Sequence, residues 1–114
     1  MHELSIAISI VEMATEEAER RGMRVGAVHL KVGRLSGVVT DALRSAYELA
    51  AEGTPLERSR LVVEDVPIVV FCPACGVERT LDREQWFVCG TCQTPTPEVR
   101  HGRELEVVAL EAEP

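Results

Sequence analysis

Four cysteines carry the plainest chemistry of this 114-residue chain. Cys72 and Cys75 form one C-x-x-C pair within Cys-Pro-Ala-Cys-Gly, and Cys89 and Cys92 form a second within Cys-Gly-Thr-Cys-Gln, separated from the first by thirteen residues. Each pair suits a tight turn that aims two sulfurs at one ion, and two such turns complete a tetrahedral all-sulfur site. Zn2+ accepts four thiolates at about 2.3 Å with no position left open, so the expected role is structural. Gly76 can take a positive φ where the turn bends back, and Pro73 stiffens it. Two disulfides or four free thiols are the rival readings. The sequence shows no secretory signal, and the reducing cytoplasmic setting this implies favours a metal. An iron tetrathiolate would use the same ligands. A closed site of this kind has no place for substrate or activated water, so the function must lie elsewhere.

A second ligand set opens the chain as Met1-His2-Glu3. His2 is large, and the aminopeptidase that trims methionine before small residues is expected to leave Met1 in place. The α-amine of Met1, the amide nitrogen of His2 and its imidazole Nδ1 can then reach one metal, closing two fused chelate rings. The Glu3 amide or carboxylate could supply a fourth ligand. Planar nitrogen and oxygen ligation favours Ni(II) or Cu(II) over zinc. Taken alone, a histidine in this position is more often an exposed residue without a metal role.

The elements that must hold these groups follow from periodicity. Leu4, Ile8, Val11, Ala14 and Ala18 recur at helical spacing, with Ile6, Ile10 and Met13 widening the stripe, which predicts a helix over 4–21 that stops at Gly22. Glu16 with Arg20 and Glu17 with Arg21 are spaced to pair on its solvated side. Val28, Leu30 and Val32 alternate with His29, Lys31 and Gly33, the signature of a half-buried strand with His29 on the solvated or partner-facing side. Thr40 is the expected N-cap of a second helix carrying Leu43, Ala46, Tyr47 and Ala50 on one face, ended by Gly53 and Thr54-Pro55. Residues 60–71 read as a strand broken at Pro67, and 104–112 as a final strand.

The fold class is therefore α+β: two helices packed on one face of a small, about three-stranded sheet, with an inserted zinc-ribbon-like hairpin. The expected division is residues 1–70, completed by the strand 104–114, and an insert over 71–103. The insert has too few apolar residues for a core of its own, so Trp86 and Phe87 should pack across it and its folding should require metal. His101, at its exit, could exchange for a thiolate or couple the insert to pH, but four cysteines already close the site. The Pro95–Pro97 run is a loop that positions the return strand.

Composition narrows the function. With 46% hydrophobic residues and only four aromatics, the core must be built from Val, Leu, Ile and Ala. No apolar run approaches the ~20 residues that span a bilayer, so no membrane role is expected. The net charge is −7, and four thiolates with one Zn2+ add four negative and two positive charges, giving −9. Nucleic-acid binding rests on phosphate neutralisation, so a protein partner or a cation fits better. No Ser-His-Asp arrangement or phosphate-cradling glycine loop appears, and no enzyme is expected.

The chain resembles the HypA/HybF family of hydrogenase-maturation nickel chaperones, nearly end to end. The resemblance is carried by Met1-His2-Glu3-Leu4-Ser5, Val32-Gly33-Arg34-Leu35-Ser36-Gly37, Ala46-Tyr47-Glu48, Gly53-Thr54, the two C-x-x-C pairs and Gly102-Arg103-Glu104-Leu105. It implies nickel held by Met1, His2 and Glu3 as transient cargo, and structural zinc held by Cys72, Cys75, Cys89 and Cys92. It further implies delivery of Ni(II) to the large subunit of NiFe hydrogenase, with a HypB-type GTPase as working partner; some members also serve urease. Asp41, in the stretch after Gly37, is not assigned as a ligand. The rival reading is a zinc-ribbon adaptor that binds protein, or less readily nucleic acid, without nickel.

Overall fold

The computed structural model describes residues 2–81 and 87–114. Along the chain lie α1 (Glu3–Arg21), β1 (Val25–Gly33), α2 (Thr40–Ala51), β2 (Arg60–Val66), β3 (Ile68–Cys72), β4 (Val77–Leu81), β5 (Glu98–His101) and β6 (Leu105–Ala112). They form two compact units, one of residues 1–31, 37–64 and 106–114, the other of residues 32–36 and 65–105. The α+β class holds, with two helices and a three-stranded sheet in the order β2-β1-β6.

In the first unit α1 buries Ala7, Ile10, Val11, Ala14 and Ala18. This stripe is rotated from the expected one, because Leu4, Ile8 and Met13 remain more than 40% exposed. The alanines allow close approach of a neighbour, and burying Ile10 and Val11 contributes about 1.5–3 kcal/mol each. Gly22 ends the helix in the left-handed region at φ 62. There the Met23 N–H bonds the Ala18 carbonyl at 3.0 Å and the Gly22 N–H bonds that of Glu19 at 3.2 Å, a Schellman closure. Glu17 pairs with both Arg20 at 2.8 Å and Arg21 at 2.6 Å, so Arg20 takes Glu17 rather than Glu16.

Helix α2 buries Leu43, Tyr47 and Ala51. Burial raises the Tyr47 pKa, and its hydroxyl lies 2.6 Å from Ser59 Oγ. Thr40 is the first helical residue and the N-cap is Val39, which makes no side-chain cap bond. The Glu3 carboxylate instead accepts the Val39 N–H at 3.2 Å. Thr54 closes the other end by donating from Oγ1 to the Ala51 carbonyl at 2.7 Å. Strand β1 buries Val25, Ala27, Val28, Leu30 and Val32, while half-buried His29 meets Glu111 on β6 at 3.1 Å. Arg60 on β2 reaches the same carboxylate at 3.2 Å.

The second unit is more than a hairpin. Strands β4-β3-β5 form an antiparallel sheet, with Cys72 opposite Val77, Val70 opposite Arg79 and Ile68 opposite Leu81. Its small apolar core draws on residues outside 71–103: Ile68, Val70 and Leu81 are buried, with Leu35, Phe87 and Val99 packed against them. Ile68 and Val70 precede residue 71 and Leu35 comes from the segment between β1 and α2, which is why residues 71–103 alone look too polar. Phe87 packs as expected, and Trp86 lies outside the described residues. Pro67, the single residue between β2 and β3, offers no N–H to a ladder, and the two strands belong to different sheets.

Residues 32–36 are tied into this unit by backbone bonds. Gly33 N–H bonds the Glu104 carbonyl at 2.7 Å, Arg34 N–H that of Val66 at 3.1 Å, and Leu35 N–H that of Gly102 at 2.7 Å. Gly33 sits so close to Gly102 that any Cβ there would overlap its carbonyl.

Candidate metal centre

Cys72 ends β3, and the turn after it returns the chain into β4. Gly76 takes φ 73, and its N–H bonds the Cys72 carbonyl at 2.8 Å. The Cys75 N–H points at Cys72 Sγ, 3.3 Å away. The second turn repeats the plan: Gln93 N–H bonds the Cys89 carbonyl at 2.8 Å and Thr91 N–H points at Cys89 Sγ at 3.4 Å. Here a glutamine, not a glycine, takes the positive φ, at 64. Cys72 and Cys89 are buried, and Cys75 and Cys92 are exposed.

All four sulfurs lie within 4.8 Å of one another. Cys72 and Cys92 are 3.5 Å apart, Cys75 and Cys92 3.6 Å, Cys75 and Cys89 4.0 Å. Bonded sulfurs would lie about 2.05 Å apart, so the disulfide reading fails. Four ligands at about 2.3 Å around a tetrahedral centre have edges of about 3.8 Å, which these separations match. The donor set therefore fits one tetrahedral metal ion.

Electrostatics agree. Two backbone N–H groups, from Cys92 and Thr91, aided by Arg79 and the Cys92 side chain, outweigh burial and lower the Cys89 pKa to about 5. The Thr94 hydroxyl and backbone hold Cys92 down as well. At Cys72 the Cys75 N–H favours the thiolate, yet burial and the three neighbouring sulfurs win and push it up to about 11. Sulfurs this crowded do not ionise together unless a cation joins them.

Arg79 was not legible as part of this site. The signal was there in the period of β4: Val77, Arg79 and Leu81 share one face, opposite the buried Cys72, Val70 and Ile68. A charge in the inward phase of a strand needs a partner. His101 is not in the cluster; its Nδ1 lies 3.1 Å from Glu104 Oε2.

At the N-terminus, Met1 lies outside the described residues. His2 is exposed and is the N-cap of α1, its carbonyl accepting the Ile6 N–H at 3.2 Å. Glu3 is the first helical residue, and the N–H groups of Val39 and of Glu3 itself depress the pKa of its carboxyl.

Fold and site define a small metal-binding protein with a helix-and-sheet unit and a cysteine-bearing unit. Over residues 1–112 the chain matches the family described as "Hydrogenase/urease nickel incorporation, metallochaperone, hypA". It is 54% identical over 112 residues to Hydrogenase maturation factor HypA of Chloroflexus aurantiacus, covering 97% of this chain and 98% of that one. The factor of the same name from Roseiflexus sp. is 46% identical over 114 residues, 99% of this chain and 93% of the relative. The solution structure of the Ni metallochaperone HypA from Helicobacter pylori superposes with a TM-score of 0.67 at 22% identity, covering 98% and 97% of the two chains. A second HypA solution structure gives 0.73 at 22% identity, covering 99% and 97%. The chain belongs to the HypA family of hydrogenase maturation metallochaperones.

Proposed function

We propose that this protein carries Ni(II) on Met1, His2 and Glu3 and hands it over during maturation of NiFe hydrogenase, while Cys72, Cys75, Cys89 and Cys92 hold a structural Zn2+. Family membership over residues 1–112 is the observation that carries the reading. The local geometry supports it. The first amides of a helix have no acceptor within it, so a nickel ion can take the amide nitrogens of His2 and Glu3 without breaking a helical hydrogen bond. The Glu3 carboxylate would have to leave the Val39 N–H to become a ligand, so the amide is the better donor.

A chaperone must hold nickel selectively and still release it. A chelate at an exposed terminus can be dismantled one ligand at a time by a competing partner, which a buried cage cannot. The partners on this reading are a HypB-type GTPase and the hydrogenase large subunit, the compartment is the cytoplasm, and the protein itself catalyses nothing. Nickel must displace protons from amine, imidazole and amide, so its affinity rises with pH; a flat affinity between about pH 6 and 8 contradicts this.

The test is a Ni(II) titration of untagged protein with intact Met1, beside His2→Ala, with zinc quantified in both. One nickel site per chain, lost in the variant while zinc is retained, is the expected result. Equal binding by both proteins moves the site away from the N-terminus. No binding by either leaves a zinc-ribbon adaptor as the description.

A further inference from the structure

The sheet of the first unit ends on an open edge. Strand β6 lies last in the order β2-β1-β6, so among the described residues its far side meets no further strand. None of its eight residues is buried, and Val108 stays 48% exposed. A free edge presents unpaired N–H and C=O groups to any other strand, and proteins block it with Pro, Lys or a covering segment. β6 contains neither Pro nor Lys. Beside it runs a groove of about 370 Å³, lined by Met13, Glu17 and Arg21 of α1 and residues 107–110 of β6. Met13 is itself 44% exposed, so the groove offers apolar surface next to an open backbone edge.

We infer that β6 is a docking edge for a second copy of this chain, the two β6 strands pairing antiparallel about a two-fold axis at Val108. In such a pair the central residue faces its own copy, and residues equally spaced on either side face each other. Val108 then meets Val108, Val107 meets Ala109, Glu106 meets Leu110 and Glu111 meets Leu105. No carboxylate stands opposite another, whereas like charges directly opposed weaken a pair. The charges also complement. Glu111 faces His29 and Arg60 in its own chain. By the two-residue period of a strand, Glu106, Val108 and Leu110 therefore lie on the other side of the sheet. Opposed residues share a face, which brings the incoming Glu106 beside Leu110, where Arg21 lines the groove. Arg20 and Arg21 share the one carboxylate of Glu17, which leaves a positive charge there for the incoming acid. Two such contacts flank the axis, and the three-stranded sheet becomes one of six strands.

The test is sedimentation of the full, metal-loaded chain over a dilution series, beside Val108→Lys and Val108→Glu. Val108 lies outside the core, and circular dichroism checks that both variants keep the parent fold. The parent is expected to pass reversibly from dimer to monomer on dilution. Each variant opposes like charges at the axis and should raise the dissociation constant at least about tenfold. An equimolar mixture of the two sets Lys against Glu and should recover dimers of mixed composition, seen by native mass spectrometry. Arg21→Glu, which leaves the strand intact, should weaken the dimer in the same direction. A parent that stays monomeric up to about 1 mM, where even weak association shows, overturns the inference. So does dimerisation unchanged in both Val108 variants, which moves the contact to another surface, or unchanged in Arg21→Glu, which removes the charge match. A mixture as dissociated as its two components takes Val108 off the axis and overturns the pairing. A dimer that fails to separate on dilution is an exchange of segments and overturns it equally.

Discussion

Gly33 and Gly102 touch backbone to backbone, and both lie in short stretches that carry the family resemblance. Gly33→Ala forces a methyl group into a carbonyl that cannot move without breaking the Leu35–Gly102 bond. Overpacking against backbone should lower stability by about 3 kcal/mol or more, read as a fall in the denaturant midpoint of the metal-loaded protein. The two turn positions after the cysteine pairs make a matched comparison, with Gly76 at φ 73 and Gln93 at φ 64. Adding a side chain in that region is unfavourable by about 1–2 kcal/mol, so Gly76→Ala should weaken the metal-loaded unit by that amount. Gln93→Gly should leave it at least as stable as the parent, since relief of strain offsets the entropy lost on fixing glycine. A large loss in Gln93→Gly would mean the glutamine side chain has a role of its own. The cysteines and Gly76 could be read from spacing because a metal turn is local. Arg79 and the Gly33–Gly102 approach could not, because their meaning depends on which strand lies opposite.

Elements show the same limit. Pro67 separates β2 from β3 as its missing N–H requires, and Gly22 stops α1 where a left-handed residue was needed. The buried face of α1 was harder. Apolar residues occur nearly all round its first half, so periodicity alone could not tell that Ala7, Ile10 and Val11 turn inward while Leu4 and Ile8 stay exposed. Nor could the sequence assign the start of α2 to a carboxylate 36 residues earlier. The link between β5 and β6 carries a pH dependence. At Glu104 burial opposes ionisation, but the N–H groups of Gly102 and of Glu104 itself, with His101 alongside, outweigh it and hold the pKa below 4.5. A depressed pKa means the ionised form is favoured in the folded state. The associated stability is therefore present above pH 4.5 and disappears as the pH falls through the depressed value. Glu104→Gln should flatten that acid limb of the unfolding curve; an unchanged slope would show that the Glu104–Gly102 bond contributes nothing.

At the scale of the whole chain, stripping the metal should separate the two units. Among the described residues, the second has an apolar core cluster of three buried side chains and a cluster of four sulfurs that repel once ionised, whereas the helices of the first contain none of the four cysteines. A strong chelator should abolish protection of the 65–105 amides in hydrogen exchange while those of α1 and α2 persist. Loss of protection throughout would mean that the first unit depends on the metal too. Composition foresaw an aliphatic core and an acidic surface, but residues 32–36 gave no sign of belonging with a segment that begins thirty residues later.

Strand β6 pairs with β1 although roughly seventy residues separate them, and just beyond its two ends Glu104 accepts the Gly33 N–H and Glu113 donates to the Arg24 carbonyl. During synthesis, all four cysteines therefore leave the ribosome before the strand that completes the first sheet. Contacts over such distances close slowly, so newly made thiols wait beside an unfinished sheet, with β1 lacking its partner on one edge. Early capture of a metal ion would fold the intervening segment and shorten the loop that β6 must close. The speed at which new chains mature, and the fraction that aggregate first, should then follow the supply of the metal at the moment of translation.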